Sequence, residues 1–335
     1  MGSATGGRPG EAVELRPIEP ADAPGLKELI ERCYGDAYPK RVMYQPDELA
    51  RMIGSGALSG AVAEAEGSIV GHMGYTWPCP EATVVEAGTT VVDPRWRGRG
   101  LMKDLALELA GLLAADGASG FVHFPTTAHE VMQRAALSSG GRETGILVGY
   151  LPPGIREPGG TGSEASRLAV TVVYQPVTEA PAQEIFLPRR YEDLIVGLAD
   201  ALWLKRSVAG PLETPEGESK LEHVFDEPRG LDRVTVARIG ANIGAGVNLL
   251  VTRSKAGLAC VDLPMNDPGV DFAVEELLGQ GFAFAAWLPG WAGYDVLRLQ
   301  RIENPSSDEL APELFSPEAE ALMALIRAEL LCESL

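Results

Sequence analysis

The sequence predicts a mixed α/β protein of two domains. The chain has 335 residues, about twice the ~150 that are typical of one domain. Segments of strand character alternate with segments whose apolar residues recur at helical spacing, so the sequence contains both kinds of element. Near its middle lies a stretch dense in Pro, Gly and Ser that has no apolar period. Apolar residues make up 45% and charged residues 22%, which is enough apolar material for two cores and excludes general disorder.

Charge and cysteine content exclude several classes of function. The 47 acidic residues against 28 basic ones give a net charge of −19, which disfavours nucleic acid or an anionic membrane as partner. No apolar run is long enough for a membrane span, and residues 1–12 have no signal-peptide core, so we expect a cytoplasmic protein with a flexible N-terminus. Neither a disulfide scaffold nor a metal site is expected, because no CxxC spacing connects the four cysteines, Cys33, Cys79, Cys260 and Cys332.

The first half reads as strands and helices in a defined order. After a strand at 13–17, Leu26, Leu29, Ile30 and Cys33 recur at helical spacing and predict a helix over 21–34. A short helix begins near Pro46, since proline fits the first helical turn. The next elements are three strands, at 60–65, 68–76 and 83–92, the first two joined by a tight turn.

The third of these strands runs into the most informative segment, Arg95-Trp96-Arg97-Gly98-Arg99-Gly100. A helix with a leucine stripe follows, ending at Gly117. Glycines let a backbone approach an anion closely, and the helix N-terminus supplies free N–H groups, so this turn suits a pyrophosphate. It lacks the third glycine of a dinucleotide fingerprint and the Gly-Lys-Ser/Thr of a P-loop, which excludes both of those readings.

The rest of the chain supports the division into two domains. A strand at 121–124, a helix at 129–139 and a strand at 143–150 close the first domain, 13–152, and residues 153–167 form the linker. The second domain, 168–304, contains a strand at 168–174, a helix across 189–205 and a strand at 233–238. Residues 305–335 form a helical extension with Ser316 as its cap. The pattern strand, Pro, helix, Gly, strand, aromatic-Leu-Pro occurs twice, over 124–152 and 263–289, and indicates an internal repeat.

The motif Arg-x-x-Gly-x-Gly after a strand ending Val-Val-Asp-Pro, within this order of elements, resembles the GNAT superfamily of N-acyltransferases. The resemblance covers 13–152 and, in a degenerate form, about 257–301. It implies two GNAT-like domains, each a central mixed sheet flanked by helices. It also implies a site for the phosphopantetheine arm of an acyl donor, with a strand bulge near Gly88. The residues that would bind this arm are Val91, Val92, Arg97, Gly98, Arg99, Gly100, Leu101 and Met102.

The second half has no Arg-x-x-Gly-x-Gly. The glycine-rich stretch 240–246 contains no basic residue and is expected to be a structural loop.

The catalytic residues follow less directly. Glu86 is the candidate general base, because many family members place a glutamate there; the alternative is a solvated strand carboxylate. Where the family has an acidic tyrosine, this chain has Ala136. His129, on one helix face with Gln133, and Tyr150 are the candidate substitutes, and capping or packing roles are the alternatives for them.

Other chemically notable side chains are expected to be structural. His72 and His123 read as core histidines, and Cys79 as an unreactive thiol, since no partner lies at metal or catalytic spacing. Trp287 and Trp291 either fill the core of the second domain or line a pocket in it.

The sequence therefore predicts an acyltransferase that moves an acyl group from acyl-CoA or an acyl carrier protein to an amine or hydroxyl of a small molecule. The Ala- and Gly-rich composition is compatible with a role in specialised metabolism. Two alternatives are a non-catalytic acyl-CoA-binding or regulatory protein and a protein lysine acetyltransferase. The C-terminal helix docks either on a domain or on a second subunit, so a homodimer is compatible with the sequence.

Overall fold

The computed structural model describes residues 12–36, 38, 40–154, 166–254 and 256–331. Contacts between residues divide the chain into two compact units. The first unit comprises the described residues up to Pro80 together with Val84–His123, and the second comprises Glu81–Thr83 and the described residues from Phe124 onward. Each unit contains a sheet with parallel and antiparallel strands and helices packed against it, which confirms the predicted mixed α/β class.

The first unit has a sheet in simple sequence order. Its neighbouring strands are antiparallel except for the last two, which are parallel. At the turn between the second and third strands, Glu66 and Gly67 both have positive φ, as the tightest hairpin turns require. The strands are β1 (Glu14–Pro17), β2 (Ser59–Ala65), β3 (Ser68–Thr76), β4 (Val84–Val92) and β5 (Gly120–His123).

Helices cover both faces of this sheet, because successive strand residues point to opposite sides. On one face, α1 (Ala23–Tyr34) and α2 (Pro46–Gly54) pack with Val62, Ile69 and Val91. On the other face, α3 (Leu101–Ala115) packs with the neighbouring strand residues Ala61, Val70 and Val92. The two faces therefore have separate cores, and β4 contributes to both.

The second unit has a longer sheet and more helices. Its elements are α4 (Glu130–Ser138), β6 (Arg142–Leu151), β7 (Leu168–Pro176), β8 (Gln183–Ile185), α5 (Glu192–Ala201), β9 (Arg206–Val208), β10 (Lys220–Asp226), β11 (Leu231–Arg238), α6 (Ile243–Ser254), β12 (Leu258–Pro264), α7 (Val270–Leu278), β13 (Ala283–Leu288), β14 (Val296–Ile302) and α8 (Pro317–Leu330). The strand order in the sheet is β7-β6-β13-β14-β12-β11-β10, in which only β11 and β12 are parallel. The short strands β8 and β9 pair separately.

The internal repeat has a structural counterpart. The second copy consists of β12, α7, β13 and β14, with β13 and β14 paired antiparallel. The first copy has α4 followed by β6 and β7, which are also paired antiparallel. The two copies meet at Gly145, which pairs with Ala286 of β13. A Cβ at Gly145 would overlap the Ala285 carbonyl oxygen, so this close approach of two strands requires glycine.

The compact units and the predicted domains have different limits. The units divide between His123 and Phe124, because β6 pairs with β7 and β13 of the second unit. Residues 155–165 of the predicted linker lie outside the described residues. This division reflects packing, so the predicted domain limits, 13–152, 168–304 and 305–335, stay predictions.

The predicted helix over 189–205 is too long. Helix α5 ends at Ala201, and Trp203 has φ +53, a left-handed conformation that a helix cannot include. Residues 206–208 then form β9.

Helix α8 is held on the second unit by a buried carboxylate. Glu329 is 6% exposed, and its oxygens accept hydrogen bonds from Arg190 Nε at 2.7 Å, Tyr191 OH at 2.9 Å and the Phe284 N–H at 2.7 Å. The pKa of Tyr191 is raised by burial and by this adjacent carboxylate. The three donors come from a turn, a helix start and strand β13, so one side chain connects α8 to each of them.

Replacing Glu329 with Ala should lower the free energy of unfolding by about 3 kcal/mol, since it leaves the Phe284 N–H and Arg190 without their acceptor. Urea unfolding followed by circular dichroism measures this loss. Glu320→Ala, at an exposed position of the same helix, is the control and should change stability by less than about 0.5 kcal/mol. Equal effects of the two substitutions would show that the buried network does not stabilise the docked helix.

Candidate functional site

The glycine turn predicted as an anion site lies between β4 and α3. A short 3-10 turn, Pro94–Trp96, follows β4, and the chain then passes through Gly98 and Gly100 into the helix. These glycines have φ of +74° and +82°, values at which a side chain would be strained. A Cβ on either would meet nothing within 4 Å. Backbone conformation, and not crowding, is therefore what requires glycine here.

Asp93 fixes the start of this turn. Its carboxylate is 1% exposed and accepts hydrogen bonds from the Arg95 N–H at 3.0 Å and from the Arg95 guanidinium. Arg32 of α1 donates from Nε at 2.8 Å and also donates to the Ile69 carbonyl. The hydrogen bonds from Arg95, with that from Arg32, lower the pKa of Asp93 to about 2. The turn is thus anchored to α1 and to β3.

The N-terminus of α3 is open to an anion. Gly100 is the N-cap and has no side chain to bond the first helical N–H groups, and those of Leu101 and Met102 have no acceptor within the helix. The positive end of the helix dipole adds to their attraction for an anion. Arg97 donates from Nε to the Val92 carbonyl at 3.1 Å, and Arg99 lies 4.6 Å over the Trp96 ring. Both arginines therefore contact residues of the strand end and the 3-10 turn that precede the helix.

Strand β4 continues past its parallel neighbour. The pairs between β4 and β5 run from Val84 with Gly120 to Glu86 with Val122, and β4 continues for six further residues to Val92. A bulge lies between Gly88 and Val91 in the pairing with β3, and Thr89 has φ +55. The predicted bulge near Gly88 is confirmed. Diverging parallel strands leave the backbone of 87–92 unpaired with β5, in the place predicted for an extended ligand arm.

Glu86 lies on the α1–α2 face of β4. Its carboxylate is 26% exposed, and Lys40 Nζ lies 3.9 Å from Oε1. Lys40 also lies over the neighbouring Gly88, where an added Cβ would meet Nζ at 3.3 Å. The glutamate is therefore solvent-accessible and paired with a cation. Lys40 could not be predicted from the sequence, because it precedes α2 in a loop without any apolar period.

His72 has the buried position that the sequence predicts. It is fully buried on β3 and its Nδ1 lies 3.0 Å from the Ala61 carbonyl oxygen. A carbonyl oxygen only accepts, so Nδ1 carries the proton and Nε2 is left as a bare acceptor. Burial and the nearby charge of Lys40 contribute to lowering the pKa of His72 to about 4. His72 is therefore a neutral residue at neutral pH.

The candidate substitutes for the tyrosine belong to the second unit. His129 precedes the first turn of α4 with extended backbone, φ −164, so the predicted common helix face with Gln133 is wrong. The Gln133 amide donates to the Glu313 carbonyl at 3.0 Å and accepts from the Phe315 N–H. That amide therefore anchors the segment before α8. Ala136 is buried, and its carbonyl oxygen accepts from the Gly141 N–H.

Tyr150, the other substitute, is 5% exposed. Its hydroxyl accepts a hydrogen bond from Arg233 at 2.6 Å, and its ring stacks on Phe124 at 5.9 Å. Arg229 lies 5.2 Å over the same ring. These contacts match the packing role that the sequence analysis gives as the alternative.

The glycine-rich stretch 240–246 of the second half is closed by the chain itself. The Gly240 N–H donates to Ser219 Oγ at 3.0 Å, and the Ala241 N–H to the Gly217 carbonyl at 2.9 Å. The Asn242 side chain accepts from the Ser219 N–H. The polar groups of this stretch are thus bonded to residues 217–219, through the Gly217 carbonyl, the Ser219 N–H and the Ser219 hydroxyl.

The remaining candidates are packed. Trp287 is fully buried in β13 and Trp291 is 8% exposed. His123 makes an edge contact with the Phe121 ring, and burial lowers its pKa to about 4. Cys79 is half-buried and in no disulfide. Within the described ranges, no cluster of three or more His, Cys, Asp or Glu side chains is placed to hold a metal ion. In the same ranges no helix is both long and apolar enough to cross a membrane.

The structure thus contains a strand–turn–helix unit, β4 to α3, with an open helix N-terminus in a mixed sheet. Residues 23–136, about a third of the chain, match the model of the acetyltransferase (GNAT) family, and this part of the protein belongs to that family. The match contains Glu86 and all eight residues predicted to bind the phosphopantetheine arm. No curated protein matches the sequence.

Several solved structures are similar to about half of the chain. An N-acetyltransferase from Staphylococcus aureus Mu50 is 15% identical, with 50% of this chain and 99% of that one covered and a TM-score of 0.41. The ribosomal-protein-S18-alanine N-acetyltransferase of Escherichia coli is 16% identical, with 52% and 99% covered and a TM-score of 0.39. The PaiA N-acetyltransferase of Thermoplasma acidophilum, in complex with coenzyme A, is 14% identical, with 49% and 98% covered and a TM-score of 0.36.

Asp93→Asn should destabilise the protein by about 2 kcal/mol at pH 7, because it removes the acceptor for two charged donors and for the turn. A carboxyl whose folded pKa is depressed stabilises the fold above its unfolded pKa, about 4, and loses this contribution as pH falls toward 2. The difference in unfolding free energy between wild type and variant should therefore shrink over that interval. Urea titrations at several pH values measure it, with the exposed Asp47→Asn as control; a pH-independent difference contradicts the role of the ionised carboxylate.

Proposed function

We propose that the protein is an acyl-CoA-dependent N-acyltransferase acting on a small-molecule amine. The observation that carries the proposal is the open glycine turn after β4. The Leu101 and Met102 N–H groups at the start of α3 have no acceptor within the helix, and the turn before them carries Arg97 and Arg99. This arrangement suits a pyrophosphate, whose two charges the helix dipole and the guanidinium groups stabilise.

The donor arm is proposed to lie along β4. The backbone edge of Val91 and Val92 continues beyond the last pair with β5, and amides of an extended pantetheine arm hydrogen-bond to such an edge as another strand does. The thioester supplies an activated acyl group. The turn would hold its phosphate end, and the strand edge would direct the arm toward Glu86.

Glu86 is proposed as the general base. In the overall reaction the amine nitrogen forms a bond with the acyl carbon, the carbon–sulfur bond breaks, and coenzyme A leaves as the thiol. An ammonium acceptor must first lose a proton, and Glu86 accepts it directly or through a water molecule. Its partial exposure gives a solvated acceptor access to the carboxylate.

The small-molecule acceptor and the specialised-metabolism setting rest on the sequence. A carrier protein presents the same phosphopantetheine arm as coenzyme A, so the turn and strand edge suit both donors. Ala136 in place of the family's tyrosine favours the second candidate, a protein that binds acyl-CoA without turnover.

Arg97→Glu combined with Gly100→Glu should lower the affinity for acetyl-CoA by about 100-fold or more, because two carboxylates then face the phosphates. Calorimetry with acetyl-CoA, a longer acyl-CoA and an acyl-loaded carrier protein measures this and identifies the donor. Gly117→Glu is the matched control, because it places the same side chain at a left-handed glycine, φ +79, at the other end of α3. Failure of every donor to bind the wild type refutes the proposal, and binding without transfer to any amine supports the non-catalytic alternative.

Glu86→Gln should lower kcat for acetyl transfer about 100-fold and leave acetyl-CoA binding unchanged, because it removes the proton acceptor and not the donor site. Steady-state kinetics with a panel of amines, read by thiol release and product mass, measures the change. Glu66→Gln, in the exposed turn between β2 and β3, is the control. A variant with wild-type kcat would show that Glu86 is only a surface carboxylate.

A further inference from the structure

The surface around Glu86 has features that the donor site does not explain. Gly74 and Gly88 are paired directly across β3 and β4, and neither has the positive φ that would make glycine necessary for backbone conformation. What glycine provides here is space. A Cβ on Gly74 would meet His72 Nε2 at 2.8 Å, and one on Gly88 would meet Lys40 Nζ at 3.3 Å.

Five residues therefore come together on one face of β3 and β4. Glu86 and Gly88 are two residues apart on β4 and so point to the same side. Lys40 contacts both positions, and His72 lies over Gly74, the partner of Gly88. This set, defined as the Lys40–Glu86 surface, consists of Lys40, His72, Gly74, Glu86 and Gly88. Its charged groups are one cation, Lys40, and one carboxylate, Glu86.

Both charged side chains are only partly buried, Lys40 at 34% and Glu86 at 26% exposed. Their separation of 3.9 Å is beyond hydrogen-bonding distance, so the pair is loose and each group can take another partner. His72 adds no charge, because its Nδ1 proton is donated to Ala61 and its Nε2 is a bare acceptor without a partner in the described ranges. Lys40 is thus the cation of this surface.

The arrangement discriminates between kinds of amine. A simple ammonium ion that approached Glu86 would also approach Lys40, and like charges at this distance repel. A zwitterion has no such cost, because its ammonium pairs with Glu86 while its own carboxylate pairs with Lys40. When a zwitterion binds, two ion pairs with the ligand replace the ion pair between Lys40 and Glu86, so no charge is left without a partner.

We propose that the acceptor is a small amine with a carboxylate close to its nitrogen, as in a free amino acid, and that Lys40 is the residue that selects for that carboxylate. This inference rests on the proposed function. Lys40 binds the carboxylate and Glu86 accepts from the ammonium, while the paired glycines make the space that the His72 and Lys40 side chains occupy. Polyamines, aminosugars and protein lysine side chains are then poor acceptors, since each brings an ammonium without an adjacent anion.

The test compares amino acids with the amines that lack their carboxylate. Phenylalanine, phenylalanine amide and 2-phenylethylamine form one such set, and alanine, alanine amide and ethylamine another. Wild-type kcat/KM with acetyl-CoA should favour the amino acid at least about tenfold within each set, mostly through KM. Lys40→Met should reduce kcat/KM for the amino acids alone and bring the ratio near one. Lys40→Glu should invert it in favour of the amines.

The matched control is Lys27→Met, a lysine of α1 whose partner is Glu31 on the surface; it should leave every ratio unchanged. Equal rates within each set in the wild type overturn the inference, as does a Lys40→Met variant that loses all amines equally. Acetyl-CoA calorimetry on wild type and Lys40→Met distinguishes a failure of this inference from a failure of the proposed function. If acetyl-CoA binds and only amines without a carboxylate are acetylated, the inference fails and the proposed function stands; if acetyl-CoA does not bind, the proposed function fails with it.

Discussion

The ion pairs of Asp93 determine where the anion turn begins. A buried carboxylate that accepts from α1 and from the turn itself fixes the end of β4 relative to both. The two left-handed glycines can then direct the chain into α3 with its first N–H groups exposed. Without this anchor the same glycines would allow many conformations, and the entropy lost in ordering the turn would weaken the binding of a ligand. The anchored turn is therefore organised before an anion binds.

Strand β4 serves both faces of the first unit. Val92 faces α3, whose N-terminus forms the anion turn, while Glu86 and Val91 face α1 and α2. The bulge after Gly88 lies between these two roles. Its extra residue changes the direction of the strand and is accommodated by Thr89 at positive φ, a conformation that costs about 1–3 kcal/mol for a residue with a side chain. The stable pairing of β3 with β4 on either side offsets that cost.

Much of the fold follows from local patterns. The hairpin of β2 and β3, the start of α2 at Pro46 and the cap of α8 at Ser316 are set by neighbouring residues, and the structure confirms them. The end of α5 was not predictable, because Leu202 and Trp203 continue the apolar period and no glycine marks the left-handed position, which Trp203 takes while the Leu204 N–H donates to the Ala199 carbonyl. The strands β8 and β9 were not predicted, because three residues are too few to show an alternating apolar period. The anion turn is a contiguous motif and was visible, whereas Lys40 reaches Glu86 from 46 positions away by folding alone.

The filled turn of the second half affects how many ligands the chain can take. Where the Leu101 and Met102 N–H groups have no acceptor within their helix, residues 240–242 bond to Ser219 and Gly217 of the same chain. The partners of residues 240–242 are tethered to them by the chain itself and are therefore always present at high local concentration. Their hydrogen bonds need no ligand, and of these two described stretches only the turn after β4 is left open for an anion. Saturation through this motif is therefore hyperbolic, with one equivalent per chain.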